Sequence, residues 1–228
     1  MYFSRITFSS DRRLEMVRQL RKGLYGEHQL IWSLLPKDAD ADRDFLYCRE
    51  ENSFKPFYYL LSARQPLNDH EFLQVETKPF APRISAGDRL QFSLRANAVV
   101  TRKPDDHSRK RIRRDIVEAR LDSIKAEYPE PLDRPPNVLI REQAGQAWLQ
   151  KQGERNGFRP ERLLVENHQF HHVTKPGDHN RRHFTSLDFH GVLEVTDNVR
   201  FQETLFHGLG RSKAYGCGML MVRRIYQV

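Results

Sequence analysis

His28 is the side chain best suited by type and setting to move a proton near neutral pH. It stands in Gly-Leu-Tyr-Gly-Glu-His-Gln-Leu-Ile-Trp, beside a glycine-weakened helix junction. If that turn is helical, Tyr25 and His28 share a face at i, i+3 spacing, and the tyrosine hydroxyl can orient the imidazole or contact a phosphate. A surface histidine that packs or caps would satisfy the same pattern. The second chemical stretch is Gly208-Leu-Gly-Arg-Ser-Lys-Ala-Tyr-Gly-Cys-Gly218, with four glycines in eleven residues. Glycine lets a backbone adopt conformations closed to other residues and come close to another chain. With Arg211, Ser212 and Lys213 among them, Gly208, Gly210 and Gly216 read as a phosphate cradle. It is not a P-loop, because a strand follows where a helix should. A tight turn between packed elements is the competing explanation.

Six histidines fall within 23 residues: His168, His171, His172, His179, His183 and His190. No cysteine is near, and strand alternation scatters them over both faces, so no metal is assigned. A hairpin contacting a polyanion fits better, because Lys175, Arg181, Arg182 and His183 crowd its tip. Gly-x-Ser-x-Gly, His-Glu-x-x-His and Cys-x-x-Cys are all absent. The Asp38, Asp40, Asp42, Asp44 run reads as an exposed loop.

The chain has 228 residues, 38 basic against 30 acidic, and a formal net charge of +8. That balance points to an anionic partner, nucleic acid before a membrane surface. No apolar run approaches the roughly 20 residues of a membrane span. Two cysteines, Cys48 and Cys217, in apolar strand-like surroundings predict reduced thiols and a cytoplasmic protein.

The elements that must position these groups follow from periodicity. Tyr2 to Phe8 alternates as a strand, with Tyr2, Ser4, Ile6 and Phe8 on one face. Ser9 or Ser10 is expected to cap a helix bearing Leu14, Val17 and Leu20. Leu30, Ile31, Leu34 and Leu35 mark a second helix ending at Pro36. Strands at Asp44 to Arg49 and Phe57 to Ala63, a short helix at Asn68 to Leu73 and a strand to Phe80 complete β-α-β-β-α-β. Pro79, Pro82 and Gly87 place a domain boundary near Ile84, giving units 1–84 and 85–228. In the second, strands are expected at Arg89 to Val100, Arg162 to Thr174, Phe184 to Thr196 and 217–226. Helices are expected at Arg141 to Gln152 and Val199 to His207. The basic stretch Arg102 to Arg114, with Arg102 and Lys103 at its start, reads as a solvated segment or an anion-binding arm. The fold class is therefore α+β, two tandem ferredoxin-like domains.

These pieces together resemble the CasE family, the endoribonucleases that process precursor CRISPR RNA in type I-E systems. The marks are Met1-Tyr-Phe-Ser-Arg5, Leu24-Tyr25-x-x-His28 with Ile31-Trp32, Arg43-Asp-Phe-Leu46, Leu94-Arg-Ala-Asn97, Ala147-Trp-Leu149 and the 208–218 loop, in that order over nearly the whole chain. The resemblance implies two ferredoxin-like domains and a metal-independent cut at the base of a repeat hairpin, with no cofactor. It implies His28 as the catalytic histidine, Tyr25 as its helper, and RNA contacts from Arg95, Asn97 and the glycine-rich loop including Lys213. It also implies a CRISPR repeat stem-loop and other subunits of a type I-E Cascade complex as partners. A non-catalytic RNA-binding subunit on the same fold is the alternative, and the Tyr25-x-x-His28 pair is what a pure binder would not need. No Lys or Arg follows His28 until Lys37, so Lys213 is the candidate for stabilising transition-state charge.

Overall fold

The computed structural model describes residues 1–36, 43–52, 55–102, 112–175, 177 and 182–225. In the first half, β1 (Tyr2–Phe8) leads through α1 (Arg13–Leu20) and α2 (Gly23–Ser33) to β2 (Phe45–Asn52), β3 (Lys55–Ser62) and β4 (Leu73–Pro79). These four strands form one antiparallel sheet in the order β2-β3-β1-β4, the ferredoxin-like arrangement. Ser4, Ile6 and Phe8 do share the inward face of β1, where Ile6 and Phe8 pack with Leu30, Ile31, Leu34 and Leu35. α1 buries no residue fully, since its apolar stripe is too narrow to cover more than the flank of α2.

Two expectations for this half fail. Neither Ser9 nor Ser10 caps α1: the residue before the helix is Arg12, without a side-chain cap, while the Ser9 amide bonds the Phe72 carbonyl. No helix forms at Asn68 to Leu73. The Phe72 amide, which would close the first helical turn on the Asn68 carbonyl, donates instead to His70 Nδ1 at 3.4 Å, and the Asn68 side chain accepts from the Val75 amide at 3.0 Å.

The second half runs β5 (Arg89–Ala96), β6 (Val99–Arg102), β7 (Ile112–Asp115), α3 (Ile116–Glu127), α4 (Asn137–Asn156), β8 (Phe158–Val173), β9 (Arg182–Val195), α5 (Asn198–His207) and β10 (Leu220–Arg224). Its main sheet has the order β10-β5-β9-β8, so the strand order of the first sheet is repeated. The expected strand Arg89 to Val100 breaks at Asn97, and Val99 onward pairs with β7 as a separate hairpin. Helix α3 was not legible, because the basic run before it and the prolines after it masked a short apolar pattern. Asp115 caps it, accepting from the Val117 and Glu118 amides. Asp197 caps α5 in the same way. The last strand begins at Leu220 rather than at 217. Trp148 and Leu149 of α4 pack against Phe189, Leu193 and the inner face of β5.

The two sheets meet along a third cluster, in which Leu46, Cys48 and Leu61 of the first pack with Met219. Both cysteines are free thiols, buried, with pKa values pushed up to about 12 chiefly by burial. Among the described residues no helix is long and apolar enough to cross a membrane.

Candidate functional site at the seam of the two sheets

The helix α2 begins at Gly23, so Tyr25 and His28 do lie on one helical stretch. Leu30 and Ile31 are anchored in the core behind it, which holds His28 toward β2 and the glycine-rich loop. The imidazole stands 5.5 Å from the Trp32 ring, 5.9 Å from Phe45 and 6.3 Å from Tyr215, centroid to centroid. Tyr25 is not among its ring partners. The His28 Nδ1 atom is buried and has no hydrogen-bond partner among the described residues. Burial, and then the nearby Arg43 guanidinium, lower its pKa below the usual 6.5. A neutral imidazole is the state a general base requires, and with Nδ1 shut in, a base role falls to the other ring nitrogen.

The loop after α5 closes over this helix. It is stitched by Leu209 N to the Gly218 carbonyl at 2.8 Å, Gly218 N to the Arg95 carbonyl at 2.7 Å and Arg211 N to the Asn97 carbonyl at 3.3 Å. The Asn97 side chain donates to the Ser212 hydroxyl at 2.9 Å, and Tyr47 donates to the Ala214 carbonyl at 3.1 Å. Gly208 and Gly210 adopt φ of +72° and +74°, and a Cβ at Gly210 would sit 3.0 Å from the Asn97 carbonyl. Their glycine requirement is thus met within the chain itself. Five loop amides (Gly208, Leu209, Arg211, Tyr215 and Gly218) are committed to protein carbonyls. An anion meeting this loop therefore depends more on its cations than a cradle of free amides would. Arg211 is exposed. The Lys213 ammonium donates to the His207 carbonyl at 2.6 Å, and burial and Arg43 lower its pKa.

A cavity of about 490 Å³ is lined from both sheets, by Glu27, Arg49, Arg95, His171 and Tyr215 among others; His28 does not line it but meets its wall through Tyr215. Glu27 is 4% exposed and receives Arg49 at 2.7 Å. Arg95 makes a two-pronged pair with Asp188, at 2.7 and 2.9 Å, and Asn167 adds a third bond to that carboxylate. Arg95 and Asn97 therefore both have structural work beside any they do toward RNA.

The long hairpin β8–β9 reaches the same place through rings. His171 stacks on Phe184 at 4.8 Å, Phe184 stacks on Tyr215 at 5.8 Å, and Tyr215 meets His28. Lys175 and Arg182 are exposed at the far end of the hairpin. Arg181 and Lys103 lie outside the described residues, as do His179, Lys37, Asp38, Asp40 and Asp42, and of Arg102 only the backbone is described. His168 and His171 separate across an irregularity in β8 between Glu166 and Gln169: His168 pairs with Asp115 at 3.3 Å, while His171 bonds Ser186 at 2.8 Å. Among the described residues no three His, Cys, Asp or Glu side chains converge in a metal-holding group.

Arg43, Phe45, Tyr47 and Tyr215 are the site residues that sequence reasoning did not assign. None adjoins His28 in sequence: the packing of β2 on α2 brings Phe45 and Tyr47 to the helix, and the final loop folding onto both brings Tyr215.

The profile of the family described as CRISPR associated protein matches residues 1–224. The CRISPR system Cascade subunit CasE of Escherichia coli strain K12 is 27% identical over 223 residues, covering 96% of this chain and 98% of that protein. The crystal structure of the CRISPR-associated protein Cas6e from E. coli K-12 superposes with a TM-score of 0.67 at 25% identity, covering 99% of this chain and 100% of that one. The CRISPR endoribonuclease Cse3 bound to 19 nt RNA has the same fold, with a TM-score of 0.71 at 24% identity over 98% of this chain and 100% of that one.

Proposed function

Because the chain belongs to the CRISPR-associated protein family, we propose that it is an endoribonuclease that binds a CRISPR repeat stem-loop and cuts precursor CRISPR RNA at the base of the hairpin. In this reading residues 1–84 and 85–228 are its two domains, and the scissile phosphate sits at their seam. The observation that carries it is the half-buried His28 imidazole, its pKa lowered by burial and Arg43, set against Tyr215 of the loop that bears Arg211 and Lys213. The likeness to the Cascade subunit CasE supports both the RNA substrate and a place beside other Cascade subunits.

The chemistry is internal to the RNA. The ribose 2′-OH attacks the adjacent phosphorus while His28 takes its proton; the P–O5′ bond breaks, the leaving 5′-oxygen takes a proton from solvent water, and the His28 imidazolium returns its proton to solvent afterwards. The products are a 2′,3′-cyclic phosphate and a 5′-OH. Nucleophile and electrophile belong to one chain, so holding them in line supplies much of the rate, and no metal is required by this route. Lys213 and Arg211 offset the charge that grows on the phosphate.

The test is a repeat hairpin incubated in EDTA with wild type and His28→Ala. Wild type is expected to cut; the variant is expected to lose about 10²–10⁴-fold in rate and to bind within a few-fold. A 2′-deoxy substitution at the scissile position is expected to stop wild-type cleavage. Cleavage of that substrate would remove the internal-attack mechanism, and full activity of His28→Ala would remove His28 from it.

A further inference from the structure

The face of the first sheet that turns away from α1 and α2 is unusually aromatic and basic. Register places Phe3 and Arg5 of β1 beside Leu61 and Tyr59 of β3, with Lys78 and Glu76 of β4 on the other side. Phe57 of β3 continues the same face. One end of this face is closed by Leu46 and Leu61 packing with Met219. Phe3 and Tyr59 pack against the margin of that cluster and, like Phe57, stay half-buried, while Arg5 and Lys78 are exposed. Phe3 and Tyr59 stack at 5.4 Å, with 27° between their planes. The Arg5 guanidinium lies 5.2 Å from the Phe57 centroid, and the Lys78 ammonium 5.9 Å from that of Phe3. A cavity of about 380 Å³ opens over Phe3, Arg5, Tyr59, Glu76 and Lys78.

We propose that this face is a second RNA site, a platform for an unpaired single-stranded segment of the same RNA whose hairpin is cut at the seam. The claim rests on the reading of the chain as an RNA-binding endoribonuclease and adds a site that reading does not use. Aromatic rings on the two central strands of a β2-β3-β1-β4 sheet are where such sheets stack exposed bases. Bases offer π-faces only when unpaired; a duplex would present phosphates and 2′-hydroxyls and leave the rings idle. Arg5 and Lys78 lie over the Phe57 and Phe3 rings; both side chains are exposed and swing aside as bases stack, which brings their charges to the phosphates. Glu76, on the lining of the same cavity, is an acceptor for base amino groups.

The experiment compares two RNAs by fluorescence anisotropy: the repeat stem-loop alone, and the same stem-loop with uridine-rich unpaired extensions. Wild type is expected to bind the extended RNA on the order of tenfold more tightly. Phe57→Leu with Tyr59→Leu is expected to abolish that gain while stem-loop affinity and cleavage stay as in wild type. Should the double variant fail to fold, Arg5→Gln alters only an exposed side chain and is expected to reduce the gain. 4-Thiouridine in the extension is expected to crosslink to peptides of β1 and β3. Equal affinity for the two RNAs overturns the proposal, as do crosslinks confined to the seam; either result fits a face covered by a protein subunit instead. Failure to bind or cut the stem-loop would strike the proposed function, whereas crosslinking of a uridine-rich single strand to β1 and β3 would still stand, so the two failures are distinguishable.

Discussion

His28 and Tyr215 face each other edge to plane, 6.3 Å between centroids and 69° between rings, although one lies in the first helical region and the other near the end of the chain. Tyr215 is also stacked on Phe184, so it is held from behind while it limits where the imidazole can turn. Tyr215→Ala is expected to lower single-turnover cleavage about tenfold, because a misplaced general base loses part of its advantage. Tyr215→Phe keeps the ring and is expected to retain most of that rate. Tyr25→Phe is expected to cost less than Tyr215→Ala, since Tyr25 makes no ring contact with His28. Rates measured at saturating RNA, with affinities measured in parallel, separate positioning from binding; a ten-fold loss in Tyr215→Phe would move the role from the ring to its hydroxyl.

The acid limb of the pH–rate profile is expected below the ordinary imidazole value of 6.5. Burial is the larger cause and the Arg43 charge the smaller. Acting as base, His28 must be neutral, so the rate climbs as pH rises through its lowered pKa and then levels off. Arg43→Gln removes the smaller cause, and the limb is expected to shift upward by less than about one pH unit while remaining below 6.5. NMR titration of the His28 ring checks the shift without assuming its role. An Arg43→Gln limb that stays put would assign the depression to burial alone.

How much of this was legible depended on whether the signal was local. The alternation in Tyr2 to Phe8 and the apolar stripe in Leu30 to Leu35 are local, and each produced its element. The asparagine turn at Asn68 is local as well, but a six-residue window cannot tell a turn from one helical turn. His28 and the glycine-rich loop were singled out by residue type and spacing, before any contact between them was known. Arg43 and Tyr215 fall within stretches that mark the family resemblance, but nothing in their type or spacing assigns either of them a place beside His28. Their relevance comes from the loop folding back onto α2 and β2, a contact of high sequence separation that periodicity does not encode. The glycines show a subtler gap: their positive φ was expected, but the atom nearest Gly210 is the protein's own Asn97 carbonyl.

That geometry ranks two substitutions. Gly210→Ala forces a side chain into φ +74° with a Cβ 3.0 Å from the Asn97 carbonyl. Gly208→Ala does so at φ +72° with a Cβ 2.6 Å from the Gly218 carbonyl, which is backbone and cannot swing aside. Gly210→Ala is expected to cost about 1–3 kcal/mol of stability, and Gly208→Ala more. Urea denaturation measures both. Equal and negligible costs would show that the loop relaxes freely, contrary to its stitching to Arg95 and Asn97.

Arg95 allows its two roles to be separated. Its guanidinium holds Asp188, whose side chain is 8% exposed, while its own side chain is 37% exposed. The Asp188 pairing raises the Arg95 pKa, so the guanidinium stays charged at every working pH. Arg95→Met leaves the Asp188 carboxylate with the Asn167 amide as its remaining bond. A fully buried pair broken on one side costs about 3–5 kcal/mol; solvent at Arg95 reduces this to about 1–3. Arg95→Met with Asp188→Leu removes the stranded charge and is expected to recover much of the stability. Stem-loop affinity then decides the second role. If the double variant is stable but binds RNA with a salt slope lower by about one, Arg95 also neutralises a phosphate. If affinity and slope return with stability, Arg95 serves only to hold β5 to β9 beneath the seam.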